Sequence, residues 1–427
     1  MPNDFDDLAA GAGLLAIDHI VVLMLENRSF DTMLGFLYTD EPPPREQEFD
    51  GLTGNESNFD SKGDEIRVWR ITPKTPCRYL KPGHDPAEGF LATNRQLFGK
   101  ENPVGLSPNN EGFVTDFELT LQKTAERPTV CGTKPRDIMG MYGPETLPIL
   151  SGLARGFAVC DRWFASVPTM TLPNRAFACA ATSLGSMDDR TKFFDCPSIF
   201  GLLEAHGLDW RIYGYDLLPM EQSNFPDVMS AAPHHFGVFS DFRKAAKEGA
   251  LPELTWLEPS WGAGSNSQAP TQDVALGERY MHDVYYALRS GLLWERTLLF
   301  ITYDEHGGCY DHVHPPDGAQ PPDDIAGEFG FNFRRFGVRV PTVLVSPRIA
   351  KGSVVRAPGD KPPFDHTSIL ATIEKRWDLP PLTRRDASAA DVGSALTTTS
   401  VRVDDPLHAV SVPRGTPSPV SSLLATY

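Results

Sequence analysis

Two short polar segments, each directly after an apolar run, are the part of the sequence best suited to chemistry. The first is Glu26 with Asn27, and the second is Asp304 with Glu305. Carboxylate and amide oxygens are the ligands that hard or borderline divalent cations take. Three carboxylates would also repel one another without a cation between them. The two pairs together predict a divalent metal site, although Ca, Mg, Mn, Fe and Zn all suit this donor set.

Each pair also has an ordinary structural interpretation. Asp and Asn are preferred at the N-termini of helices, and Glu26 could be a solvated residue after a strand. The repetition of the pattern after two strands favours the metal site. In open α/β sheets, ligands bind outside the carboxyl ends of the strands, where the sheet holds such side chains in fixed positions.

The apolar runs before the two pairs predict the strands that position them. Ile20–Leu25 and Leu298–Tyr303 are continuous apolar runs rich in branched and aromatic residues, typical of strands buried on both faces of a parallel sheet. A third run, Val338–Val345, is interrupted by Arg339 and Pro341. We therefore expect it nearer an edge of the sheet.

Shorter strands and helices alternate along the rest of the chain. The predicted strands are Phe157–Val159, Trp210–Tyr213 and Leu254–Leu257, and the predicted helices are Thr146–Ala154, Asp273–Leu288 and Thr367–Trp377. This alternation predicts an α/β fold with a central, mostly parallel sheet. We expect one domain over residues 1–403, with surface loops at about 40–70 and 313–328, and a C-terminal tail over 404–427.

Composition excludes some partners. The formal net charge is −17 without a dense Lys/Arg run, so nucleic acid is not an expected partner. The apolar run nearest the N-terminus is too short to span a bilayer, and the acidic N-terminus is not a typical secretory signal. We expect a cytoplasmic protein, or a secreted one if a leader was removed. The six cysteines form no C-x-x-C pair and are expected as free thiols.

The segment 166–175 offers a nucleophile. It follows a short predicted strand and precedes an Ala-rich helix, and a hydroxyl at the start of a helix lies among free N–H groups at the positive end of the dipole. A plain capped helix start is the alternative. The chain has no G-x-S-x-G elbow, no Walker A loop and no G-x-G-x-x-G after a strand. Gly307 and Gly308 predict a close backbone approach or positive φ beside the site.

Four segments, in this order, resemble those of a known family. They are DHIVVLMLENRSFD at 18–31, PTMTLPNR at 168–175, TYDEHGGCYDHV at 302–313 and FDHTSIL at 364–370. They are similar to the phosphoesterase family that holds bacterial phospholipases C, plant non-specific phospholipases C and an acid phosphatase branch. The resemblance implies an alkaline phosphatase/sulfatase-like fold, with helices on both faces of the sheet.

The resemblance also implies roles for particular residues. Glu26, Asn27, Asp304 and Glu305 match metal ligands, and Thr171 matches a nucleophile that forms a phospho-enzyme. The implied reaction is a metal-dependent hydrolysis of phosphoric esters.

Three further residues are catalytic candidates. His84 resembles an active-site histidine that contacts the phosphoryl group or the leaving oxygen. Asn174 lies in the nucleophile segment, and His366 lies with Asp365 in the last matching segment. For His366 the alternative is that it braces the helix beginning at Thr367.

The chain departs from the family at one segment. An Asn-Asp-x-His-Pro sequence is expected before the helix near position 275, but Asn266–Pro270 has Ser267 and Ala269 at the Asp and His positions. A general acid or phosphate-contacting group would then be missing, which typically costs about 10²–10⁴ in rate. Three histidines are candidate replacements: His234, His235 and His312.

Three functions follow from this sequence. The first is a phospholipase C-type hydrolysis through a phospho-threonine, the second is an acid phosphatase acting on small monoesters, and the third is a degenerate member that only binds a phosphorylated headgroup. The first function predicts an apolar trough, for which five side chains are candidates, with core packing as their alternative: Phe90, Leu97, Phe98, Phe113 and Phe117.

Overall fold

The computed structural model describes residues 13–126, 130–217, 219–262 and 264–415. Eight strands form its central sheet. In chain order they are β1 (His19–Leu25), β2 (Ala158–Val159), β3 (Trp210–Gly214), β4 (Phe236–Val238), β5 (Leu254–Leu257), β6 (Thr297–Tyr303), β7 (Thr342–Val345) and β8 (Ser353–Val354). Across the sheet the order is β8-β2-β7-β6-β1-β5-β3-β4.

The sheet is mostly parallel, as predicted. β1 pairs in parallel with both β5 and β6, β3 joins β5 and β4 in parallel, and β8 joins β2 in parallel. Only β7 among these eight strands runs the other way, antiparallel to both β6 and β2. Every side chain of β6 is buried. Because successive side chains of a strand point to opposite faces, both faces of the sheet are covered.

Eleven α-helices accompany the sheet in the part of the chain that the structure describes. They are α1 (Phe30–Leu34), α2 (Phe90–Phe98), α3 (Phe113–Lys123), α4 (Pro148–Gly156), α5 (Thr171–Ala180), α6 (Ile199–Ala205), α7 (Pro226–Met229), α8 (Phe239–Glu248), α9 (Val274–Arg289), α10 (Thr367–Trp377) and α11 (Arg384–Ser388). Helix α4 packs against α9, and α5 packs against α10. The α/β class is confirmed.

The predicted helices are confirmed to within a few residues. α10 has the predicted bounds, and α9 begins one residue after Asp273, whose side chain accepts the N–H of Ala275 at 2.9 Å as the N-cap. α4 begins at Pro148, in the first helical position where proline lacks only an N–H that would have no helical partner.

The third predicted strand is shorter than expected. β7 begins after Pro341, which has no N–H for the ladder. It lies between β6 and β2, third from one edge of the sheet and nearer an edge than β6 or β1, so the prediction of a position nearer an edge is confirmed. Arg339, which interrupts the apolar run, is fully buried and forms ion pairs with Asp31 and Asp311.

Short strands and irregular segments complete the structure. Three two-stranded pairs join Ser57–Phe59 with Glu65–Arg67, Trp69–Ile71 with Gly140–Tyr142, and Trp163–Phe164 with Phe364–Asp365. The beginning of the predicted tail packs on α9, because Tyr285 and Tyr286 donate to Asp405 and Leu407 is buried. Residues 1–12 and 416–427, which include the predicted N-terminal segment and the end of the tail, lie outside the described residues.

The cysteines only partly follow the expectation of free thiols. Cys160, Cys179, Cys196 and Cys309 are free, as predicted. Cys77 is disulfide-bonded, so the expectation was wrong for that residue. No helix within the described ranges is long and apolar enough to cross a bilayer.

Candidate active site

The register of β1 and β6 brings the two polar pairs together. The strands pair in parallel from His19 opposite Thr297 to Leu25 opposite Tyr303, so the residues that follow leave the sheet side by side. The Asn27 N–H donates to Asp304 Oδ1 at 3.1 Å, and the Asp304 N–H donates to the Leu25 carbonyl at 3.2 Å. The predicted meeting of the pairs at one edge of the sheet is confirmed.

Two glycines make this approach sterically possible. Gly307 and Gly308 have φ of +59° and +65°, in the left-handed region that favours glycine. A Cβ at Gly307 would collide with the carbonyl of Asn27, and one at Gly308 with the carbonyl of Ala87. The predicted close approach is confirmed, and it also brings in the loop that carries Glu88.

Thr171 is the first residue of α5, and its buried hydroxyl faces the polar cluster. Its Oγ1 donates to Asn27 Oδ1 at 3.3 Å. Thr169 is nearby, but its hydroxyl donates to the carbonyl of Met187 at 2.6 Å. The candidate nucleophile Thr171 therefore lies at a helix start, as predicted. Its contact with Asn27 distinguishes it from Thr169.

Two carboxylates at the site were missed by the sequence analysis. Glu88 Oε2 accepts the Asn27 Nδ2–H at 2.9 Å, which leaves the amide oxygen of Asn27 turned toward Thr171. Asp189 Oδ1 accepts the N–H of Leu172, in the first turn of α5, at 2.7 Å. Neither residue follows a strand or belongs to a periodic pattern, so no local signal marked them.

Arg175 is the buried cation of the site, and it was also missed. Its Nε donates to Asp304 Oδ2 and its Nη1 to Glu221 Oε1, both at 3.0 Å, and its guanidinium lies 5.1 Å from the ring centre of Trp261. Burial opposes its charge, but Asp304 and Glu221 raise its pKa. Arg175 lies four residues after Thr171 on one helix, so helical spacing was a usable signal.

Negative charge remains in excess at the site. Burial, with Glu88 and Asp304 nearby, raises the pKa of Glu305 well above its ordinary value. Burial and then Asp304 raise the pKa of Glu26 to about 7. Glu305 Oε2 accepts the Gly307 N–H at 2.7 Å, whereas its buried Oε1 has no hydrogen-bond partner. An added cation would relieve both the repulsion and the missing contact.

The donor chemistry fits a divalent cation, with one qualification of geometry. Carboxylate and amide oxygens converge here, and one buried carboxylate oxygen lacks a partner. However, Glu26, Asp304 and Glu305 are not among the described groups of three acidic, His or Cys side chains whose ligand atoms all lie within 4.8 Å.

His366 supports the site without facing a reacting atom. Trp163 donates its indole N–H to His366 Nδ1 at 3.4 Å, so Nε2 carries the proton that is donated to the Asp304 carbonyl at 2.6 Å. Burial lowers the pKa of His366, which favours this neutral form. His366 precedes α10 without a side-chain cap and positions Asp304, while its neighbour Asp365 forms a buried ion pair with Arg385.

The structure gives Asn174 a positioning role. Its Oδ1 accepts the Val167 N–H at 3.0 Å, and its Nδ2 donates to the carbonyls of Val167, Thr169 and Met170. The amide thus holds the loop that leads into Thr171. A direct catalytic role for Asn174 stays a prediction that these contacts do not support.

His84 is buried, and its Nε2 lies 2.5 Å from Thr124 Oγ1, after the end of α3. This contact does not involve Thr171 or the four predicted ligands. Its role at the phosphoryl group stays a prediction.

The segment that departs from the family lies beside the site. The Glu26 N–H donates to the Ser267 carbonyl at 2.9 Å, and the Ser267 hydroxyl bonds to the Glu26 carboxyl. Arg28 holds the next residue through a bond to the Gln268 carbonyl at 2.6 Å. Neither Ser267 nor Ala269 brings a titratable group to this edge.

The contacts of the three candidate replacement histidines do not support that role, which stays a prediction. His235 directly precedes β4 and bonds to the carbonyl of Trp210, the first residue of β3, so it lies at the amino ends of the strands with the exposed His234. His312 Nδ1 lies 2.7 Å from Asp31 Oδ2, in a different ion-pair cluster. Spacing along the chain could not show at which edge of the sheet these rings lie.

Comparison with known proteins now defines the class and the family. Residues 17–380 match the model described as the phosphoesterase family. The chain is 38% identical to non-specific phospholipase C1 of Arabidopsis thaliana over 87% of this chain and 69% of that protein. It is 38% identical to non-specific phospholipase C6 of the same plant, over 92% and 74%. It is 29% identical to phospholipase C B of Mycobacterium tuberculosis, over 90% and 80%.

The protein is a hydrolase that acts on phosphoric ester bonds. The chain belongs to the phosphoesterase family, and the resemblance predicted from four segments is confirmed.

Solved structures also align with the chain, at low similarity. A protein of the alkaline phosphatase superfamily from Vibrio parahaemolyticus is 11% identical, with a TM-score of 0.35 over 58% of this chain and 64% of that one. The lipoteichoic acid synthase of Listeria monocytogenes is also 11% identical, with a TM-score of 0.38 over 60% and 71%.

Proposed function

We propose that this hydrolase is a phospholipase C-type enzyme that uses Thr171 as its nucleophile. The observation that carries the proposal is the buried Thr171 hydroxyl at the start of α5, bonded to Asn27 beside a cluster of carboxylates. The relatives named as phospholipases C support the choice of ester.

In the proposed reaction, Thr171 Oγ1 attacks phosphorus and the bond from phosphorus to the glycerol oxygen breaks. The hydroxyl proton ends on the released diacylglycerol, and the headgroup phosphate stays on Thr171 as a phosphodiester. Water then attacks phosphorus, which restores the threonine and releases the phosphorylated headgroup. Splitting the displacement into two steps is the usual gain of a covalent intermediate.

Side chains around Thr171 hold this geometry. Asn174 fixes the preceding loop, His366 fixes the backbone of Asp304, and Arg175 fixes its carboxylate. The ten-residue helix α5 directs its positive dipole end at the place where phosphoryl charge would lie. The proposed contribution of these groups is a preorganised site.

A divalent metal is part of the proposal, held by Glu26, Asn27, Asp304 and Glu305. The unpartnered Oε1 of Glu305 and the surplus of buried carboxylates support it. When bound, such an ion lowers the pKa of a coordinated hydroxyl and offsets charge on phosphoryl oxygens.

A pocket close to the site, lined by both aromatic and polar side chains, supports an ester larger than a small monoester. Phe90 and Phe98 line a cavity of about 390 Å³, and Phe90 follows Glu88 by two residues. Phe98 also belongs to the apolar core cluster that contains the other three trough candidates: Leu97, Phe113 and Phe117. Phe90 belongs to a second core cluster. The trough therefore stays a prediction, with core packing as the alternative.

A substrate panel tests the proposal. Phosphatidylcholine, an aryl phosphocholine and an aryl phosphate are offered to the protein with Ca, Mg, Mn, Fe or Zn, and the products are separated. Release of phosphocholine is the expected result. Release of inorganic phosphate from the monoester alone would make the protein an acid phosphatase. No hydrolysis with any of the five metals would leave a binder of phosphorylated headgroups.

A further inference from the structure

A second feature of the molecule is a pocket of about 390 Å³ between the start of α2 and the loops at 101–108 and 329–332. Its size falls within the range of small-molecule sites. The proposed chemistry does not use it, since the groups that act on phosphorus lie at Thr171 and the strand ends.

The rim of this pocket exposes large apolar side chains. Val104 is 93% exposed, Phe329 is 56% exposed and Leu106 is 45% exposed. All three line the same pocket, and Ile325, 46% exposed, precedes Phe329 by four residues. Scattered exposed apolar residues need no explanation, but a group around one concave site marks an interaction surface.

The lining of the pocket combines aromatic rings with polar and charged side chains, including the cation Arg335. Phe90 stacks on Phe329 with ring centres 5.5 Å apart. The guanidinium of Arg335 lies 4.8 Å from the ring centre of Phe98. Arg335 Nη2 donates to Asn94 Oδ1 at 2.6 Å, whereas its buried Nε has no hydrogen-bond partner. A buried donor without an acceptor is costly, so a ligand oxygen at this point would be favourable.

The pocket lies next to the candidate nucleophile, Thr171. Phe90 is two residues from Glu88, so their Cα atoms lie no more than about 7.6 Å apart. A Cβ at the intervening Gly89 would be 3.8 Å from the sulfur of Met170, which directly precedes Thr171. A molecule with its phosphorus at Thr171 therefore has this pocket within reach.

We propose that this pocket binds the acyl region of a glycerolipid, and that Val104, Leu106 and Phe329 dock its rim on a lipid surface. The proposal rests on the phospholipase C-type function proposed above. The unpartnered Nε–H of Arg335 donates to an ester oxygen of the bound lipid.

The charges around the pocket favour one kind of lipid surface. Glu101 and Asp317 also line it, and the net charge of the chain is −17. An anionic bilayer gains nothing from such a surface, so the partner is a zwitterionic one, such as phosphatidylcholine.

Vesicle binding tests the rim directly. Sedimentation with phosphatidylcholine vesicles is measured in the Thr171→Ala background, so that the lipid is not consumed. The double variant Val104→Asp with Leu106→Asp, and Phe329→Asp separately, should each weaken binding at least about tenfold, because each removes one or more buried apolar side chains from the contact. Leu292→Asp, at a residue 76% exposed elsewhere, is the matched control and should bind as the parent does.

Unchanged binding in the rim variants, or equal loss in the control, would overturn the proposal. Vesicle binding is measured in a variant without turnover, so its result does not depend on whether the proposed function is correct. If the unsubstituted protein releases phosphocholine from a soluble diester but the Thr171→Ala protein does not bind vesicles, the pocket proposal fails and the proposed function stands. If the Thr171→Ala protein binds vesicles through the rim but the unsubstituted protein hydrolyses no phosphodiester, the proposed function fails.

A second measurement concerns Arg335. With a soluble short-chain phosphatidylcholine, Arg335→Met should raise KM about tenfold, the loss of roughly one hydrogen bond to an ester oxygen. The KM for an aryl phosphocholine, which has no acyl chain, should change less than twofold. Equal changes for both substrates would mean that Arg335 only supports the fold.

Discussion

Two clusters of buried acidic side chains each include residues that follow β1 and β6. They differ in how their negative charge is balanced. The site cluster consists of Glu26, Glu88, Asp304 and Glu305. The Arg339 cluster is named for the arginine that pairs with Asp31 and Asp311, with His312 beside them. Each cluster takes residues from the segment after β1 and from the segment after β6.

The Arg339 cluster contains its own cation. Arg339 donates to Asp31 and to Asp311 at 2.9 Å each, and to the backbone carbonyls of Asp50 and Asp161. Its guanidinium is thereby enclosed. In the site cluster, Arg175 is shared with Glu221, and Glu305 keeps an unpartnered oxygen.

Closeness of ligand atoms and unbalanced charge do not coincide in the two clusters. Asp31, Asp311 and His312 are close enough to hold an ion, yet Arg339 already fills that role. The more widely spaced site cluster has the unmet charge. A balanced buried cluster should serve stability, and an unbalanced one should serve binding.

The largest expected effect is on turnover. Thr171→Ala should reduce hydrolysis of an aryl phosphocholine by at least about 10⁴-fold, because the nucleophile is lost. Metal content and thermal stability should be unchanged. The matched control is Thr169→Ala, whose hydroxyl bonds to the Met187 carbonyl and which should retain turnover. Equal activity of the two variants would remove Thr171 from the mechanism.

The next largest effect is on stability, in the Arg339 cluster. Arg339→Met leaves Asp31 and Asp311 buried without their cation, and should lower the free energy of unfolding by about 3–5 kcal/mol in denaturant titration. Arg384→Met removes the exposed pair with Asp324 and should cost no more than about 1 kcal/mol. A small loss for Arg339→Met would mean that the cluster is not held by its internal cation.

The site cluster should respond in the opposite sense. Glu305→Gln removes a buried charge and should stabilise the metal-free protein by about 1–4 kcal/mol, while lowering its metal content. Glu278→Gln is the matched control, because both oxygens of Glu278 accept N–H groups, from Ile149 and Leu150. That variant should lose about 1–3 kcal/mol. Destabilisation of the metal-free protein by Glu305→Gln would contradict the distinction between the clusters.

The smallest effect is a pH dependence in the Arg339 cluster. Burial opposes the charge of His312, but Asp31 overrides it and raises the pKa of the ring above 6.5. The stability that the charged ring contributes is complete below the unfolded pKa of about 6.5 and is lost as pH rises through the folded value. Unfolding free energy should fall by about 1 kcal/mol or less over that range, and His312→Gln should flatten the profile. An increase in the free energy of unfolding over the same pH range would contradict this prediction.

Local patterns predicted the parts of the site that secondary structure positions directly. Both acidic pairs follow apolar strands, so the pattern placed them. The pattern also marked segment 166–175 as a helix start, and the family resemblance singled out Thr171 within it. Glu88 reaches Asn27 across 61 residues from an irregular loop, which no periodicity marks. The antiparallel direction of β7 was missed as well, because an apolar run carries no sign of its orientation.

The histidines also show that sequence patterns do not reveal tertiary contacts. His312 belongs to a matching segment, but its neighbours decide that it pairs with Asp31. His366 was predicted as catalytic or as a brace, and only the contact of its Nε2 with Asp304 assigns it a positioning role. Residue type and motif gave candidates here, whereas tertiary contacts separate those that reach the phosphoryl group from those that support the site.

The central claim is that phosphoester hydrolysis passes through Thr171, and trapping the intermediate tests it most directly. The metal-loaded protein is mixed with excess aryl phosphocholine, quenched in acid within the first turnover, digested and mapped by mass spectrometry. We predict a phosphocholine adduct on the peptide that contains Thr171, and none in Thr171→Ala. Rapid turnover with no adduct, or with the adduct on another residue, would contradict the account.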